Sequence, residues 1–383
     1  MGPKMNRKSN VIFALFVSLV CFGLILLPTG FENPALTNST QREKAMVLSV
    51  DNDDLQTFGV VTTGTQNLVI EIRSGKFKGD TLKATNVLMG QMKIDKIFKK
   101  GDNVLAVLKL NKTNDSVMSA RADDIYRLNL EWILFGLFAV FLVSFAGWTG
   151  FKALLSFVFT ALAIWKILIP FFLKGYSPIP VSLAIVSLTT AVIILLISGL
   201  SRKGLVALSG SIVGITITSV LALLFGHFFR IPGTVQEFSE ALLYAGFVHL
   251  RLSDIFLSAI FISAAGAVMD VAMDISASQN ELITKRPDMK SKELIRSGFS
   301  IAYPVIGTMT TTLLFAYSGS FIFVFMVFMA KGTPMATIFT TNYIAAEILH
   351  TLVGSFGLVL VAPATAIIGG YAYTHGLAKK EYV

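Results

Sequence analysis

Polar side chains recur at three- and four-residue steps within one apolar stretch of the sequence. A helix would place them in a single stripe among apolar neighbours; they are Ser263, Gly266, Asp270, Asp274, Ser278 and Glu281. With a helix entering the membrane near Ile255, Asp270 lies about 22 Å along it and Asp274 lies close to the far headgroups. A carboxylate at the centre of a membrane helix costs about 2.5–3.5 kcal/mol on insertion scales. A coordinated cation, a bound proton or a structural hydrogen bond to another helix must offset that cost.

The last apolar stretch carries a second pair of titratable residues. Glu347 and His350 are three residues apart and therefore share one helix face. A carboxylate and an imidazole at this spacing can share a proton, a transition metal or only a hydrogen bond. Two ligands do not complete a metal site, so no metal is assigned. Because this helix starts near Tyr343, the pair lies within about 10 Å of the outer surface, whereas Asp270 lies near the inner one. Asp270, Asp274, Glu347 and His350 are thus predicted to be stations on a path for a small solute or ion.

Enzymatic motifs are absent from the sequence. It contains no Walker loop, Rossmann glycine fingerprint, His-Glu-x-x-His helix or Gly-x-Ser-x-Gly elbow. An intramembrane aspartyl protease needs two carboxyls facing one peptide bond, and Asp270 and Asp274 stack on a single helix. We therefore expect no enzymatic activity and no cofactor. Hydroxyl groups near Gly307 could line a polar path or bond back to their own helix carbonyls, the commoner arrangement; they belong to Thr308, Thr310, Thr311, Thr312 and Ser318.

The elements that position these residues are membrane-spanning helices. Of 383 residues, 54% are hydrophobic and 14% charged, a balance that suits a chain with lipid as its solvent. Eight apolar runs approach or exceed the ~20 residues that span a ~30 Å hydrocarbon core. They are 11–27, 130–145, 153–172, 181–200, 205–229, 255–273, 300–329 and 343–370. Pro and Gly residues in the last two runs predict kinked or broken helices, which transporters use to bind ions and solutes.

The formal charge of +9 reflects topology. Most Lys and Arg residues outside 29–128 fall in loops that the eight-span arrangement places on one side, which predicts a cytoplasmic location for those loops and both termini. They include Lys4, Lys152, Arg202, Lys203, Lys285, Arg286, Lys290, Lys379 and Lys380. Nucleic-acid binding is not indicated. The first run is longer than a signal-peptide core, which favours an uncleaved anchor. Cys21 is the only cysteine, so no internal disulfide can form.

Segment 29–128 has the pattern of a small soluble domain. Short β-branched runs are predicted as strands at 45–50, 58–63, 68–73, 82–88 and 104–110, with turns at Gly64, 74–75, 78–80 and 100–103. Five strands in about 70 residues predict a small antiparallel barrel of OB type. Its aromatic residues are scattered rather than clustered, so a spacer or docking module is favoured over a nucleic-acid or sugar binder.

Two further segments shape the helical part. In the fifth run Gly210, Gly214 and Thr218 lie four residues apart, a spacing that favours close helix packing over a ligand path. Segment 234–252 places apolar residues near one helical face, which predicts an amphipathic helix on the outer surface.

The sequence Gly266-Ala-Val-Met-Asp270-Val-Ala272, followed by a Ser-rich turn and Asn280-Glu281, resembles the YibE/F-like family of bacterial multi-pass membrane proteins. The resemblance extends over most of the chain, including the β segment and the Gly/Thr-rich run at 300–320. It implies a bacterial membrane location and this architecture without supplying a substrate. Only Asp270 is carried over as a motif position. At Asp274, where a small polar residue is expected in relatives, the sequence departs from the pattern.

The sequence therefore predicts an all-α polytopic membrane protein of about eight spans with a small extracytoplasmic OB-like β-barrel. Its parts are a transmembrane anchor (1–28), the β domain (29–128), a seven-helix transmembrane domain (129–376) and a cytoplasmic tail (377–383). The expected function is secondary transport of a small solute or ion through a bacterial plasma membrane. The alternative is a non-transporting scaffold or an envelope-associated interaction protein. Expected partners are membrane lipid, a small solute or ion, an extracytoplasmic partner of the β domain and further copies of the chain in an oligomer, but no nucleic acid.

Overall fold

A computed structural model describes residues 7–31, 40–111 and 115–375. Lys4, Lys379, Lys380 and the tail 377–383 lie outside the described residues. The chain divides into two compact units, one of Met1–Thr29 with Leu142–Val383 and one of Gly30–Phe141.

Six strands form the sheet of the second unit. They are β1 (Thr40–Asp51), β2 (Leu55–Phe58), β3 (Val61–Ile72), β4 (Thr81–Met89), β5 (Asn103–Leu110) and β6 (Val117–Ile125). Strand β1 pairs with both β3 and β5, so five strands close in the order β1-β3-β4-β6-β5, and β2 adds to β3 as a hairpin. All pairs are antiparallel except β4 with β6. Closure removes the free edges of those five strands, and this confirms the predicted OB-like barrel.

Alternation along the strands builds the barrel core. In β5, Val104, Ala106 and Leu108 are fully buried and their neighbours face outwards. Phe98, from the segment between β4 and β5, is also buried and closes one end of the core. The predicted strand 58–63 is wrong, because a turn at Gly59 separates β2 from β3. The predicted turn at Gly64 is also wrong, since Gly64 lies inside β3, where a Cβ would meet the Asp54 carbonyl oxygen.

Eleven α-helices occur among the described residues. They are α1 (Arg7–Leu26), α2 (Leu128–Ala163), α3 (Ile169–Leu173), α4 (Pro178–Ser198), α5 (Arg202–Phe229), α6 (Ser239–Tyr244), α7 (Leu252–Lys285), α8 (Ser291–Ser318), α9 (Ile322–Ala330), α10 (Met335–Thr340) and α11 (Asn342–His375). A π-helical turn (Ile164–Leu168) joins α2 to α3.

The helices account for the predicted spans. Six continuous helical segments within the described residues are long and apolar enough to cross a membrane, and Asn10–Leu26 is a shorter apolar helix. The first long segment, Leu128–Leu173, is broken at Gly147, whose φ of 54° and ψ of −129° are not helical. In a straight helix, residues 142 and 150 would be about 12 Å apart along the axis. Here a Cβ at Gly150 would lie only 2.2 Å from the Leu142 carbonyl oxygen. The chain therefore bends sharply at Gly147, and this segment supplies two of the eight predicted spans.

Small residues bring α5 and α11 together. A Cβ at Gly210 would lie 2.1 Å from the Thr365 hydroxyl, and a Cβ at Gly357 would lie 1.8 Å from the Thr218 hydroxyl. A Cβ at Gly214 would lie 2.7 Å from Val268 of α7 and 2.8 Å from Val361 of α11, again too close for a side chain. These contacts confirm the packing interpretation of the Gly210–Gly214–Thr218 spacing.

The segment between α5 and α7 is not the single amphipathic helix that the pattern predicted. It forms a 3₁₀ turn (Gly233–Val235) and the six-residue α6, and the chain then turns at Gly246, whose φ is +96°. Since glycine readily adopts positive φ, it ends the helix before the apolar face can extend.

Hydrogen bonds define two ends of the helical unit. At one, called the Leu27 end, Lys166 Nζ donates to the Leu27 carbonyl (2.8 Å) and Arg251 donates to Ser177 Oγ (2.8 Å). At the other, called the Lys203 end, Ser276 donates to the Lys203 carbonyl (2.7 Å). The chain thus gathers loops that are distant in sequence at each end.

Candidate functional site

A cavity with a mixed apolar and polar lining lies where α7, α8 and α11 meet. Its volume is about 300 Å³, and the segment 235–237 contributes to its wall, so it lies towards the Leu27 end. Its titratable and aromatic lining includes Glu347 and His350 from α11 and Tyr317 from α8. Ser263 of α7 contacts two of these side chains.

His350 is the centre of the hydrogen-bonded group. Its Nε2 lies 2.6 Å from Ser263 Oγ, and its Nδ1 lies 3.8 Å from a Glu347 carboxylate oxygen. The Tyr317 hydroxyl donates to Ser263 Oγ (3.2 Å), and its ring lies 4.4 Å from the His350 ring, between centroids. The side chains of Glu347 and His350 are each 18% exposed, so they are largely enclosed but still reach the cavity.

The geometry indicates how protons are arranged in this group. Ser263 Oγ also donates to the Ile260 carbonyl of its own helix (2.9 Å), which uses its single proton. His350 then donates from Nε2 to Ser263, and its Nδ1 faces the Glu347 carboxylate. The pair can exchange a proton, or hold a small cation when the imidazole is neutral.

Asp270 and Asp274 lie elsewhere. Both lie on the exposed face of α7, four and eight residues after Gly266 and therefore on the same polar stripe. Neither lines the cavity. The opposite face of α7 packs into the protein through Val268, Val271 and Ile275, all fully buried. Asp270 is seven residues, or about 10 Å of helix rise, from Ser263. The structure thus brings together Glu347 and His350, and places the two aspartates on the continuation of the stripe that Ser263 begins.

Several sequence interpretations near the site can now be judged. The hydroxyl groups in the Thr-rich run donate to carbonyls of their own helix; they belong to Thr308, Thr310, Thr311 and Thr312. Of the two interpretations, hydrogen bonding within the helix is therefore confirmed rather than the lining of a polar path. No group of three or more His, Cys, Asp or Glu residues suited to a metal ion occurs in the described part of the chain.

The sequence reasoning missed Tyr317. It comes from a different helix from Ser263 and His350, and its contacts depend on the relative rotation of three helices. No spacing along the chain carries that information. An aromatic residue with a hydroxyl in an otherwise apolar and Thr-rich run was the only signal available.

The comparisons with known proteins concern both units. A family model described as YibE/F-like protein matches residues 134–375. A second, described as YibE/F family N-terminal domain, matches residues 38–125. Curated proteins and solved structures gave no match.

Proposed function

Since the chain belongs to the YibE/F-like protein family and is a membrane protein with long apolar helices, we propose that it is a secondary transporter of a small solute or ion. The observation that carries the proposal is the cavity lined by Glu347, His350 and Tyr317, with Ser263 hydrogen-bonded to the last two. A carboxylate and an imidazole enclosed among apolar helices are costly unless they bind or exchange something, and such residues commonly mark ion and proton pathways.

The proposed path starts at this cavity and continues along α7. Glu347 and His350 receive the ion or solute, and Asp270 and Asp274 extend the polar surface towards the Lys203 end. A substrate small enough for about 300 Å³ and attracted by carboxylates fits this route, which favours a cation or a small basic or neutral solute. The proposal involves no enzymatic step and no cofactor.

The proposed location is the bacterial plasma membrane, with both termini on the cytoplasmic side. Basic residues support this orientation: Lys152, Arg202, Lys203, Lys285 and Arg286 belong to the Lys203 end, where Lys152 Nζ donates to the Ile197 carbonyl (3.2 Å). Positively charged loops are retained in the cytoplasm. In this orientation the cavity belongs to the outer side.

The alternative is a non-transporting scaffold or envelope-associated interaction protein. It is favoured by the exposure of Asp270 and Asp274 on the surface of the chain. Carboxylates on a face with no covering helix could hold a second copy or another membrane protein by hydrogen bonds.

Flux through liposomes separates the two functions. Purified protein is assayed with a panel of ions and a pH-sensitive dye, comparing the parent with Glu347→Gln, His350→Gln and Asp270→Asn. Glu347→Gln and Asp270→Asn preserve size and hydrogen bonding but remove titration, and His350→Gln removes the titrating ring while keeping an N–H that can donate. We expect Asp270→Asn to abolish movement and the two cavity variants to slow it about tenfold, equivalent to about 1.4 kcal/mol.

Glu240→Gln is the matched control, because Glu240 is an exposed carboxylate of α6 that does not line the cavity. It should transport like the parent. If the parent carries a solute and all three site variants carry it equally fast, the proposed path is wrong. A parent that moves nothing in the panel would favour the scaffold.

A further inference from the structure

The β-barrel carries nearly all of its exposed large apolar side chains at one end. The nearby tip of the β2–β3 hairpin contributes Phe58 (65% exposed) and Val60 (80%). The end of β4 and the segment that follows contribute Met89, Met92, Ile94 and Ile97, which are 48–72% exposed. We call these six residues the barrel cap surface. Met118, on β6, is the one large apolar side chain exposed well away from it within the described barrel.

The barrel cap surface consists of two adjoining grooves and the hairpin tip. Val60, Met92 and Ile97 line one groove of about 280 Å³, and Met89 and Ile94 line another of about 140 Å³. Asp95 belongs to the walls of both grooves, and Phe58 pairs with Val61 at the hairpin tip next to Val60. The segment between β4 and β5 is fixed on the barrel by Phe98 in the core and by the Asn86 side chain, which donates to the Lys96 carbonyl (2.6 Å). The surface is therefore a fixed part of the barrel.

The same end of the barrel leads directly into the membrane. Strands β4 and β6 are parallel, with Ala84 level with Ala120, so Met89 is level with Ile125, the last residue of β6. Only residues 126 and 127 separate Ile125 from Leu128, where α2 begins. Three residues of chain span at most about 11 Å. The barrel cap surface is thus on the side of the barrel from which the first long apolar helix leaves.

Charge at this end suits lipid headgroups. Lys93, Lys99 and Lys100 are exposed within or beside the surface. Of the acidic residues nearby, Asp95 accepts a hydrogen bond from the Gln91 amide (2.7 Å) and Asp124 pairs with Lys96 (2.5 Å). In the β1–β2 turn, Asp51 is level with Asn67 of β3, and the Asp54 carboxylate accepts a hydrogen bond from the Asn67 side chain (3.2 Å), so both carboxylates lie back from the hairpin tip. The remote end of the barrel, around 73–80, instead exposes Arg73, Lys76, Lys78 and Asp80, and Met118 is the one large apolar side chain exposed near it among the described residues.

From this arrangement we infer that the barrel cap surface rests in the lipid headgroup layer of the membrane that the protein spans. Its apolar side chains enter the boundary between headgroups and acyl chains, and its lysines bind lipid phosphates. Soluble domains seldom leave so many apolar residues exposed together unless the surface is covered. Because only two residues connect the barrel to α2, lipid around that helix is the covering material nearest to this surface. The barrel is then a membrane-seated domain, with only its remote end free to meet other molecules.

Fluorescence in a purified system tests the inference with the full chain. Cys21→Ser removes the natural thiol, and single cysteines at Ile94→Cys, Met92→Cys and, as the control at the remote end, Lys78→Cys carry an environment-sensitive dye. The protein is reconstituted into vesicles of phosphatidylcholine and phosphatidylglycerol. We expect blue-shifted emission and several-fold stronger quenching by brominated lipid at positions 92 and 94 than at 78. Vesicles lacking phosphatidylglycerol, or the combined Lys93→Gln, Lys99→Gln, Lys100→Gln variant, should reduce that quenching.

The result that overturns the inference is equal quenching of positions 94 and 78 by aqueous iodide, with no quenching by brominated lipid. Protection of position 94 in native membranes but not in the purified vesicles would also overturn it, since the surface would then be covered by a protein. Both lipid readouts are independent of transport, so they stand whether or not the flux assay supports the proposed function.

Discussion

Gln279 fixes α7, α8 and α11 against one another close to the Lys203 end, and its neighbour Gly369 offers a sharp test of this packing. The Gln279 side chain is fully buried, and its Nε2 donates to the carbonyls of Leu294 (3.1 Å) and Ala366 (2.9 Å). A Cβ at Gly369 would lie 2.0 Å from Gln279 Oε1, well inside van der Waals contact. Gly369→Ala must therefore displace the amide.

The cost can be worked out from these contacts. Side-chain hydrogen bonds inside membrane proteins average about 0.6 kcal/mol each, so losing two removes about 1 kcal/mol. Overpacking a tight site adds about 1–3 kcal/mol. Gly369→Ala should thus lower the free energy of unfolding by about 2–4 kcal/mol. In a Gln279→Ala background the amide is gone, and only Val206 Cγ1, 3.2 Å away, must shift slightly. In that background Gly369→Ala should lower the free energy of unfolding by less than about 1 kcal/mol.

Reversible unfolding of the four proteins in mixed micelles, followed by circular dichroism, measures this cycle. We expect a coupling free energy of about 1–3 kcal/mol, because Gln279→Ala removes the steric clash that Gly369→Ala creates. Gly354→Ala is a matched control on the same helix, because its Cβ would meet only ordinary contacts at 3.5 Å and beyond. An equal cost for Gly369→Ala in both backgrounds would refute the packing argument.

Three further predictions concern orientation and the β domain. With Cys21 replaced, a cysteine at Gly79 should react with an impermeant reagent outside intact cells and one at Asp288 should not; the reverse pattern would refute the proposed orientation. A fragment of about residues 40–125 should fold alone with strand-rich circular dichroism and a cooperative melt. Burial raises the pKa of Asp124, but hydrogen bonds from Lys96, the Ile125 amide and Arg127 outweigh it and hold that pKa below its usual value. Because the folded-state pKa is the lower one, the carboxylate stabilises the fold above about pH 4 and loses this effect as the pH falls further. Asp124→Asn should remove that part of the acid sensitivity and cost at most about 1 kcal/mol at neutral pH, since the pair is partly exposed; unchanged acid melts would contradict this.

The barrel shows which parts of the fold the sequence could predict. Three of the five predicted strands lie within observed ones and a fourth, 68–73, passes the end of β3 by one residue, because β-branched runs and glycine turns determine local structure. Strand β6 was missed since its inward positions are Ala120 and Ala122 and its outward positions are charged, so it lacks the residues that mark strands. Its parallel pairing with β4 depends on closure of the barrel, which no local pattern specifies.

The candidate site shows a different limit. The i, i+3 spacing placed Glu347 and His350 on one face, and the helix that carries them forms as predicted. The contact of His350 with Ser263 joins residues 87 positions apart, and Tyr317 enters from a third helix. Such contacts depend on how helices are rotated and offset, and helix rotation is set by packing of small residues such as Gly214 and Gly357. Helical periodicity predicts which residues share a face of one helix, but not which other helix that face contacts.

The polar stripe of α7 connects the proposed path with assembly. Beside the two aspartates its buried face is apolar, through Val268, Val271 and Ile275, whereas Asp270 and Asp274 lie on the face that this chain leaves open. A carboxylate facing hydrocarbon costs about 2.5–3.5 kcal/mol near the membrane centre and less near the headgroups, against the roughly 5–15 kcal/mol that stabilises an ordinary fold. Lipid is therefore a poor neighbour for this face. Water in a crevice, or a second copy that brings its own hydroxyls or α7, would remove the cost. If a second copy covers the face, the path that begins at the Glu347–His350 cavity is completed only in the oligomer, and the transport function and the assembly of the protein depend on the same two aspartates.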